Sequence, residues 1–425
     1  MNQYSYWLDT VPQQPVAGHQ SELPARIDVA IVGAGYTGLA AARQLARAGA
    51  SIVVFERERV GFGASSRNAG QVLAGMKLEP AALVARYGDA RARRLFEISL
   101  ESIETLERVI ADETIACEYE RAGHVQAAVK PSHFSAFRDE QALLARVFNH
   151  RVELLSRSEQ RRELGSDAYH GVMVDERSAA LNPAKYVAGL ATAACRAGAS
   201  IAAGTAVQRI SRLNGKWTIE TSTGSVEARD VLFATNGYSD GAAPALQRRF
   251  VPIGSYIIVT EPLAAADAGA ILPRRRTAFD SKHFLFYLRL TPDNRLLFGG
   301  RAEFSAPTAA STRRAAAILR QGMVHVFPQL ASVRVDYVWS GRVAFTRDQL
   351  PHAGCLDGAY YAGGYCGHGV AMATYLGAIV GRRIAGERID HPLIDDRFPP
   401  IPLYRGTPWF LPIVGAFYRM QDWLR

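Results

Sequence analysis

Apolar and polar positions along the chain follow two periods, and the switches between them mark its elements. Val29 to Val32 form a continuous apolar run, as in a strand buried on both faces, and the run enters a glycine turn at Gly33. From about Thr37 to Ala48, small residues with Leu39, Ala42 and Ala46 on one face predict a helix that Gly49 stops. Ile52 to Phe55 predict a second strand. At about 80–115 an amphipathic helix is expected, with Leu95, Ile98, Ile103 and Leu106 on one stripe. A strand-like stretch from Glu118 to Val129 and a helix over about 132–149 follow, and the block reads as an insertion between halves of a nucleotide domain. Residues 172–237 return to α/β character, with a helix opened by Asn182-Pro183 and stopped at Gly198. Within 246–335, FVPIGSYIIVTEPL, HFLFYLRLT and NRLLFGG alternate as strands do. Phe284, Phe286 and Leu288 fall on one face there, Leu285, Tyr287 and Arg289 on the other, which suits a sheet roofing a pocket. A helix over about 312–327 and a second glycine-rich turn, Gly363 to Gly369, opening a helix to about Ala385, complete an α/β (α+β) pattern.

Gly33, Gly35 and Gly38 stand in G-x-G-x-x-G spacing between the first strand and its helix, and Glu56 ends the second strand. That arrangement is a dinucleotide cradle: the glycines serve the tight turn, close backbone approach and helix packing, and the acid meets ribose hydroxyls. It leaves NAD and FAD both open. Beyond it, the loop from Gly61 to Gln71 is dense in glycine and short polar side chains and suits folding over the rest of a dinucleotide.

A net charge of +9 raises the question of nucleic acid, but the basic residues are scattered arginines without interleaved aromatics, so no nucleic-acid partner is expected. The four cysteines form no C-x-x-C pair, no His/acid spacing suits a metal, and no run of about 18 apolar residues exists to span a bilayer. No signal peptide is recognised at the N-terminus, and a cytoplasmic location is expected. Residues 1–26 read as a surface-wrapping tail anchored by Tyr4, Tyr6 and Trp7.

The segments VAIVGAGYTGLAAA, RVGFGASSRNAGQ, LNPAKYVAGLA, FATNGY, YIIVTEPL, RLLFGGR, FPQL, WSG and GGYCGHGVAMA occur in one order from end to end. In them the chain resembles the flavin-dependent amine and amino-acid oxidoreductases that include D-amino-acid oxidase, glycine oxidase and sarcosine oxidase, and within them the branch acting on γ-glutamylputrescine. The resemblance implies a Rossmann-like FAD-binding domain with a parallel sheet (27–80, 155–245 and 336–400) and an antiparallel-sheet substrate domain (81–154 and 246–335), followed by an amphipathic C-terminal tail, 401–425. It implies FAD as cofactor, touched by Gly33, Ala34, Gly35, Tyr36 and Gly38, by Glu56 and Arg57, and by Ala64, Ser65, Arg67, Asn68 and Gln71. Further contacts are implied for Val207, for Thr235, Asn236 and Gly237, and for Gly364, Gly367, His368, Gly369 and Val370.

For such enzymes the resemblance implies hydride transfer from the α C–H of a neutral amine to flavin N5, with an imine that hydrolyses to aldehyde. Oxygen or another electron carrier then reoxidises the flavin. Tyr256, Phe286, Tyr287, Trp339, His368 and Arg342 are the expected pocket residues, whereas His124 and His133 are expected to be solvated or satisfied. Two departures matter. Where sarcosine-oxidase-like relatives attach flavin through a cysteine, this chain has Val343, so FAD is expected to be noncovalent. Where amino-acid oxidases clamp a carboxylate with arginine, Val343 stands again and Arg342 is one residue early, on the other face of its strand. The expected reaction is therefore oxidation of γ-glutamylputrescine or a related amine, with an amino-acid or N-methyl-amino-acid oxidase or dehydrogenase as the alternative. TPWFLPIVGAFYRMQDWL is expected to pack on the body, and a membrane-docked enzyme passing electrons to a quinone is the reading it would otherwise support.

Overall fold

A computed structural model of the chain describes residues 1–12, 22–303 and 308–424. Its helices are α1 (Tyr36–Arg47), α2 (Pro80–Asp112), α3 (Pro131–Phe148), α4 (Pro183–Arg196), α5 (Pro244–Gln247), α6 (Ala265–Ile271), α7 (Ala309–Val326), α8 (Gly369–Ile384) and α9 (Leu411–Leu424). The strand Arg26–Val32 lies at the centre of the first sheet, paired in parallel with Ile52–Glu56 on one side and Ser225–Phe233 on the other. Ser200–Ala203 extends the sheet beyond Ile52–Glu56, and Ala359–Gly363 extends it beyond Ser225–Phe233. Both faces of the central strand are covered, Val29 and Ile31 against α1 and its neighbours and Ala30 against Ile219 and Val231. That explains its unbroken apolar run. The helix α8 lies close on α1 because Gly377 faces the Thr37 carbonyl, where a Cβ would sit 2.3 Å from the oxygen.

The second sheet runs in the order 335–345, 251–260, 296–303, 287–290, 277–280, 124–127, 171–175 and 153–156. It is antiparallel except where Thr277–Asp280 pairs in parallel with His124–Ala127. One face carries the apolar core with α7, and the other looks toward the nucleotide sheet.

Two boundaries expected from sequence change. Strands 153–156, 171–175 and 335–345 lie in this second sheet and not in the nucleotide domain, because their ladder partners are there. The helix α2 shares its core with α1 and α8 instead of with the substrate sheet, Leu95, Ile98, Ile103 and Leu106 being fully buried there. Residues 13–21 of the expected N-terminal tail lie outside the described residues; of its expected anchors Tyr6 and Trp7 are buried, the Trp7 indole N–H donating to the Asn68 carbonyl at 2.9 Å, while Tyr4 is exposed.

Candidate active site

A narrow cavity of about 220 Å³ begins at the N-terminus of α1. Gly33 has φ +107° and a Cβ there would meet the Ala234 carbonyl at 3.0 Å. At Gly38 a Cβ would stand 2.0 Å from the Gly33 carbonyl oxygen. Only glycine allows strand, turn and helix to approach so closely. The Tyr36 N–H donates to Ser65 Oγ at 3.0 Å, and Glu56 accepts from the Ala34 and Glu58 N–H groups, each at 3.0 Å. The carboxylate is thus fixed at the cavity wall with lone pairs left for hydroxyls. Val207, Thr235 and Asn236 close the wall opposite, with Arg57 ion-paired to Asp240 at 3.2 Å nearby.

Four expected cofactor contacts stand off this wall. Ala34 spends its N–H on Glu56, and Gly38 sits behind the turn. Gly237 packs toward Arg342 and Ala344, and Gly364, at φ +76°, donates its N–H to Asn236 Oδ1 at 2.9 Å. They shape the turns instead of facing the space.

The loop from Gly61 carries the cavity onward. Arg67 donates to the carbonyls of Phe62 and Ser340 at 2.8 and 3.1 Å, Asn68 braces Ala64 O and the Gly70 N–H, and Gln71 donates to Ala278 O and Leu288 O. Trp339 was expected in the pocket; instead its indole N–H donates to the Arg67 carbonyl at 2.8 Å from a buried position beside Trp7. Two tryptophans therefore hold the loop from behind. The sequence gives no direct sign of that, since the pairing spans the whole chain.

Ala64, Asn68, Arg342, Val343, Cys366, Gly367 and Val370 also line a second, wider cavity of about 420 Å³, so the two spaces are continuous. Its roof is the inner face of the second sheet: Ser255 and Ile257, Tyr287, Phe279, His124 and Gln126, Met173 and Asp175. Strand alternation turns Tyr256 to the opposite face, where its hydroxyl meets Ser311 at 3.2 Å, and Phe286 packs on Phe298 with Lys282 over its ring. Neither is a pocket wall. Tyr287 is, with its hydroxyl 2.9 Å from Ser255 Oγ, and the absence of a side chain at Gly299 leaves room for its ring. Burial pushes the Tyr287 phenol up to about 12. Arg342 lies exposed at the junction of the cavities, its guanidinium 5.4 Å from the Tyr238 ring centre, while Val343 faces the wide cavity.

The floor is the turn before α8. Cys366 holds φ +52°, its thiol 3.2 Å from the Gly364 carbonyl and pushed up to about 11 by burial. His368 is the N-cap of α8, and Gly367, Gly369 and Val370 present the helix N-terminus to the cavity. Burial, then the Lys77 ammonium, holds His368 down to about 3. His124, which sequence set aside, joins it across the cavity: Nδ1 meets Thr277 Oγ1 at 2.8 Å, Nε2 is buried without a partner, and burial holds the ring down to about 3. His133 is satisfied by Ser281 at 2.6 Å. Lys77, Glu140 and Asp175 are further wall residues that sequence reasoning missed. The signal for His124 was legible, since His124 and Gln126 alternate with Val125 and Ala127.

An extended ligand with a ribose at Glu56, phosphates at the N-terminus of α1 and a planar ring system between the 64–71 loop and the α8 turn fits these residues. Gly33 and Gly35 leave backbone bare where phosphates pass, and the α8 N-terminus offers N–H groups to negative charge on a ring. Among the described residues no group of three or more metal-ligating side chains occurs, and no helix is long and apolar enough to cross a membrane.

Comparison with known proteins agrees in family. Residues 28–383 match the DAO family, described as FAD dependent oxidoreductase. The chain is 33% identical over 402 residues to γ-glutamylputrescine oxidoreductase of Escherichia coli K12, covering 93% of this chain and 92% of the relative. It is 34% identical over 366 residues to a probable oxidoreductase OrdL of Haemophilus influenzae, covering 85% and 83%. Among solved structures, glycine oxidase from Geobacillus kaustophilus superposes with a TM-score of 0.71 at 21% identity, over 87% of this chain and 97% of that one. The chain therefore belongs to the DAO family of FAD-dependent oxidoreductases, enzymes that act on amines or amino acids.

Proposed function

We propose that this enzyme oxidises an amine that also carries a carboxylate, γ-glutamylputrescine or a close relative, at the carbon bearing the amine. The substrate loses a hydride and a proton to become an imine, which water hydrolyses to an aldehyde. FAD, held noncovalently, supplies the two-electron acceptor, and oxygen or another carrier takes the electrons onward. The observation that carries this reading is a pair of opposite, unengaged charges in one cavity. Among the described residues the Lys77 ammonium and the Glu140 carboxyl have neither hydrogen-bond nor ion-pair partners, and both line the wide space. Burial holds Lys77 below the usual lysine range, and burial, then Glu79, pushes Glu140 up to about 7. A ligand bearing a carboxylate and an ammonium would satisfy both.

In this scheme Tyr287, His124 and His368 shape and dry the space around the reacting carbon. Their rings stay neutral at physiological pH, as the amine over the flavin must also be when its hydride leaves. Val343, in place of a carboxylate clamp, leaves that carbon free of an α-carboxylate. A second reading has Lys77 alone receiving the carboxylate of a small amino acid.

Anaerobic bleaching of the flavin by a panel decides between them. γ-Glutamylputrescine is expected to reduce the flavin faster than glycine, sarcosine or D-alanine. Faster reduction by any of those three would overturn the reading. Flavin is expected in the supernatant after acid precipitation, because valine cannot form the thioether; yellow colour in the pellet would refute noncovalent binding. In steady state, KM for the amine should rise as pH falls through about 7, because protonation removes the Glu140 charge. The Glu140→Gln variant should raise KM roughly tenfold and flatten that limb. A His368→Asn variant should keep the limb, His368 being neutral throughout the range.

A further inference from the structure

We propose that the C-terminal segment 403–420 docks the enzyme on the surface of an anionic lipid bilayer. Of the ten large apolar residues exposed among the described residues, six lie here: Leu403 at 85%, Trp409 at 57%, Ile413 at 69%, Val414 at 37%, Phe417 at 49% and Met420 at 51%. Single exposed apolar residues are ordinary, but such a concentration is not. The helix α9 is seated on the body by Leu411, 3% exposed, which packs with Val251 and Tyr404. Ile413, Phe417 and Met420 recur at i, i+4 and i+7 on the face opposite Leu411. The helix thus presents an apolar stripe outward while its other side is fixed.

Charge selects the partner. From Arg397 to Gln421 the sequence has arginines at 397, 405 and 419 and no acidic residue, in a chain of net charge +9; the acids that flank it are Asp395 and Asp396, ion-paired to Arg383 and Arg91, and Asp422. Arg248 adjoins the segment, its carbonyl accepting the Ile401 N–H at 2.9 Å. Arg248, Arg397 and Arg405 are exposed, and among the described residues none of their guanidinium groups is ion-paired. An apolar stripe with a tryptophan, on a segment that carries exposed, unpaired arginines, is complementary to a negatively charged headgroup layer above acyl chains. A second protein copy with the same surface would place arginines against arginines. Among the described residues no helix is long and apolar enough to cross the bilayer, and the proposed contact lies along its surface.

The test is co-sedimentation of the full-length holoenzyme with vesicles of phosphatidylcholine alone or mixed with phosphatidylglycerol. Binding is expected to the mixed vesicles, to weaken with added salt, and to be nearly absent with phosphatidylcholine alone. The triple variant Leu403→Ser, Ile413→Ser, Met420→Ser replaces exposed side chains only. It should keep its flavin spectrum and unfolding midpoint while losing vesicle affinity by more than roughly tenfold. The double variant Arg248→Glu, Arg405→Glu should abolish the preference for anionic lipid. Failure of the wild-type enzyme to pellet with either vesicle would overturn the proposal. So would a dimer in sedimentation velocity that the triple variant converts to monomer, since the stripe would then belong to a second copy.

Discussion

The Gly38→Val variant is expected to accumulate without flavin, and in large part unfolded. A Cβ at position 38 would lie 2.0 Å from the Gly33 carbonyl oxygen and 3.2 Å from Ile31 Cγ2. The first neighbour is backbone, so no rotamer change relieves the overlap. Either α1 lifts from the sheet or the turn at Gly33 moves. Gly33 itself is confined, with φ +107° and the Ala234 carbonyl close by, so the displacement would travel into the wall that receives the dinucleotide. Forced overlap in a packed interior of this kind costs about 4 kcal/mol or more. The control is Gly269→Ala, an exposed position on α6 where a Cβ meets nothing within 4 Å. It should leave flavin content unchanged and raise stability by up to about 1 kcal/mol through helix propensity. Flavin-to-protein absorbance ratio and thermal midpoint measure both. A yellow, normally stable Gly38→Val protein would mean that the close approach of α1 is not required.

Why Gly38 could be read from sequence and Trp339 could not is a matter of range. The strand, turn, helix and acid of the nucleotide cradle are consecutive, and their roles follow from backbone geometry within thirty residues. Glu56 ends where the spacing put it, at the cavity wall with its oxygens on two backbone N–H groups. The roof of the wide cavity comes from seven strands scattered between residues 124 and 345, and which face of each strand looks inward depends on register. The expected pocket residues include Phe286 and Tyr287, from opposite faces of one strand, and Tyr256; the sheet turns Tyr287 inward and Tyr256 and Phe286 outward. His124 was set aside because a lone histidine carries no motif, yet its strand pairs with both Thr277–Asp280 and Gly171–Asp175 and so lies in the middle of the roof. Lys77 and Glu140 are hidden in the sequence for another reason. A charged residue on a loop or helix reads as solvated, and only the fold shows that these two are half-buried in the cavity wall and, among the described residues, without partners.

The Glu113→Ala variant is expected to lose about 3 kcal/mol of stability, with α1 the element set loose. Glu113 follows α2 and is buried, with its side chain 3% exposed. It accepts from Arg43 Nε and Arg47 on α1, each at 2.5 Å, and from Arg196 at the end of α4. One carboxylate therefore gathers three cations from two helices. Arg43 is itself only 7% exposed, and removing its partner leaves a buried charge beside two others, with only Asp112 at 3.7 Å to offset it. Breaking a buried pair from one side costs about 3–5 kcal/mol. By contrast Arg196→Ala removes a cation that is 60% exposed and should cost less than about 1 kcal/mol. The arginines hold Glu113 below its ordinary carboxylate range despite burial, so its contribution is present above about pH 4.3, the unfolded value, and disappears as pH falls through the lower folded value. His124, His368 and His391 are held at about 3, 3 and 4 by burial, so unfolded chains take up protons that folded ones refuse, and both proteins weaken as pH falls below about 6.5. The difference between wild type and Glu113→Ala isolates the carboxylate: it should be constant from about pH 8 to 5 and narrow below about 4. A difference that already narrowed between pH 7 and 5 would place the effect on a histidine and remove Glu113 as the anchor of α1.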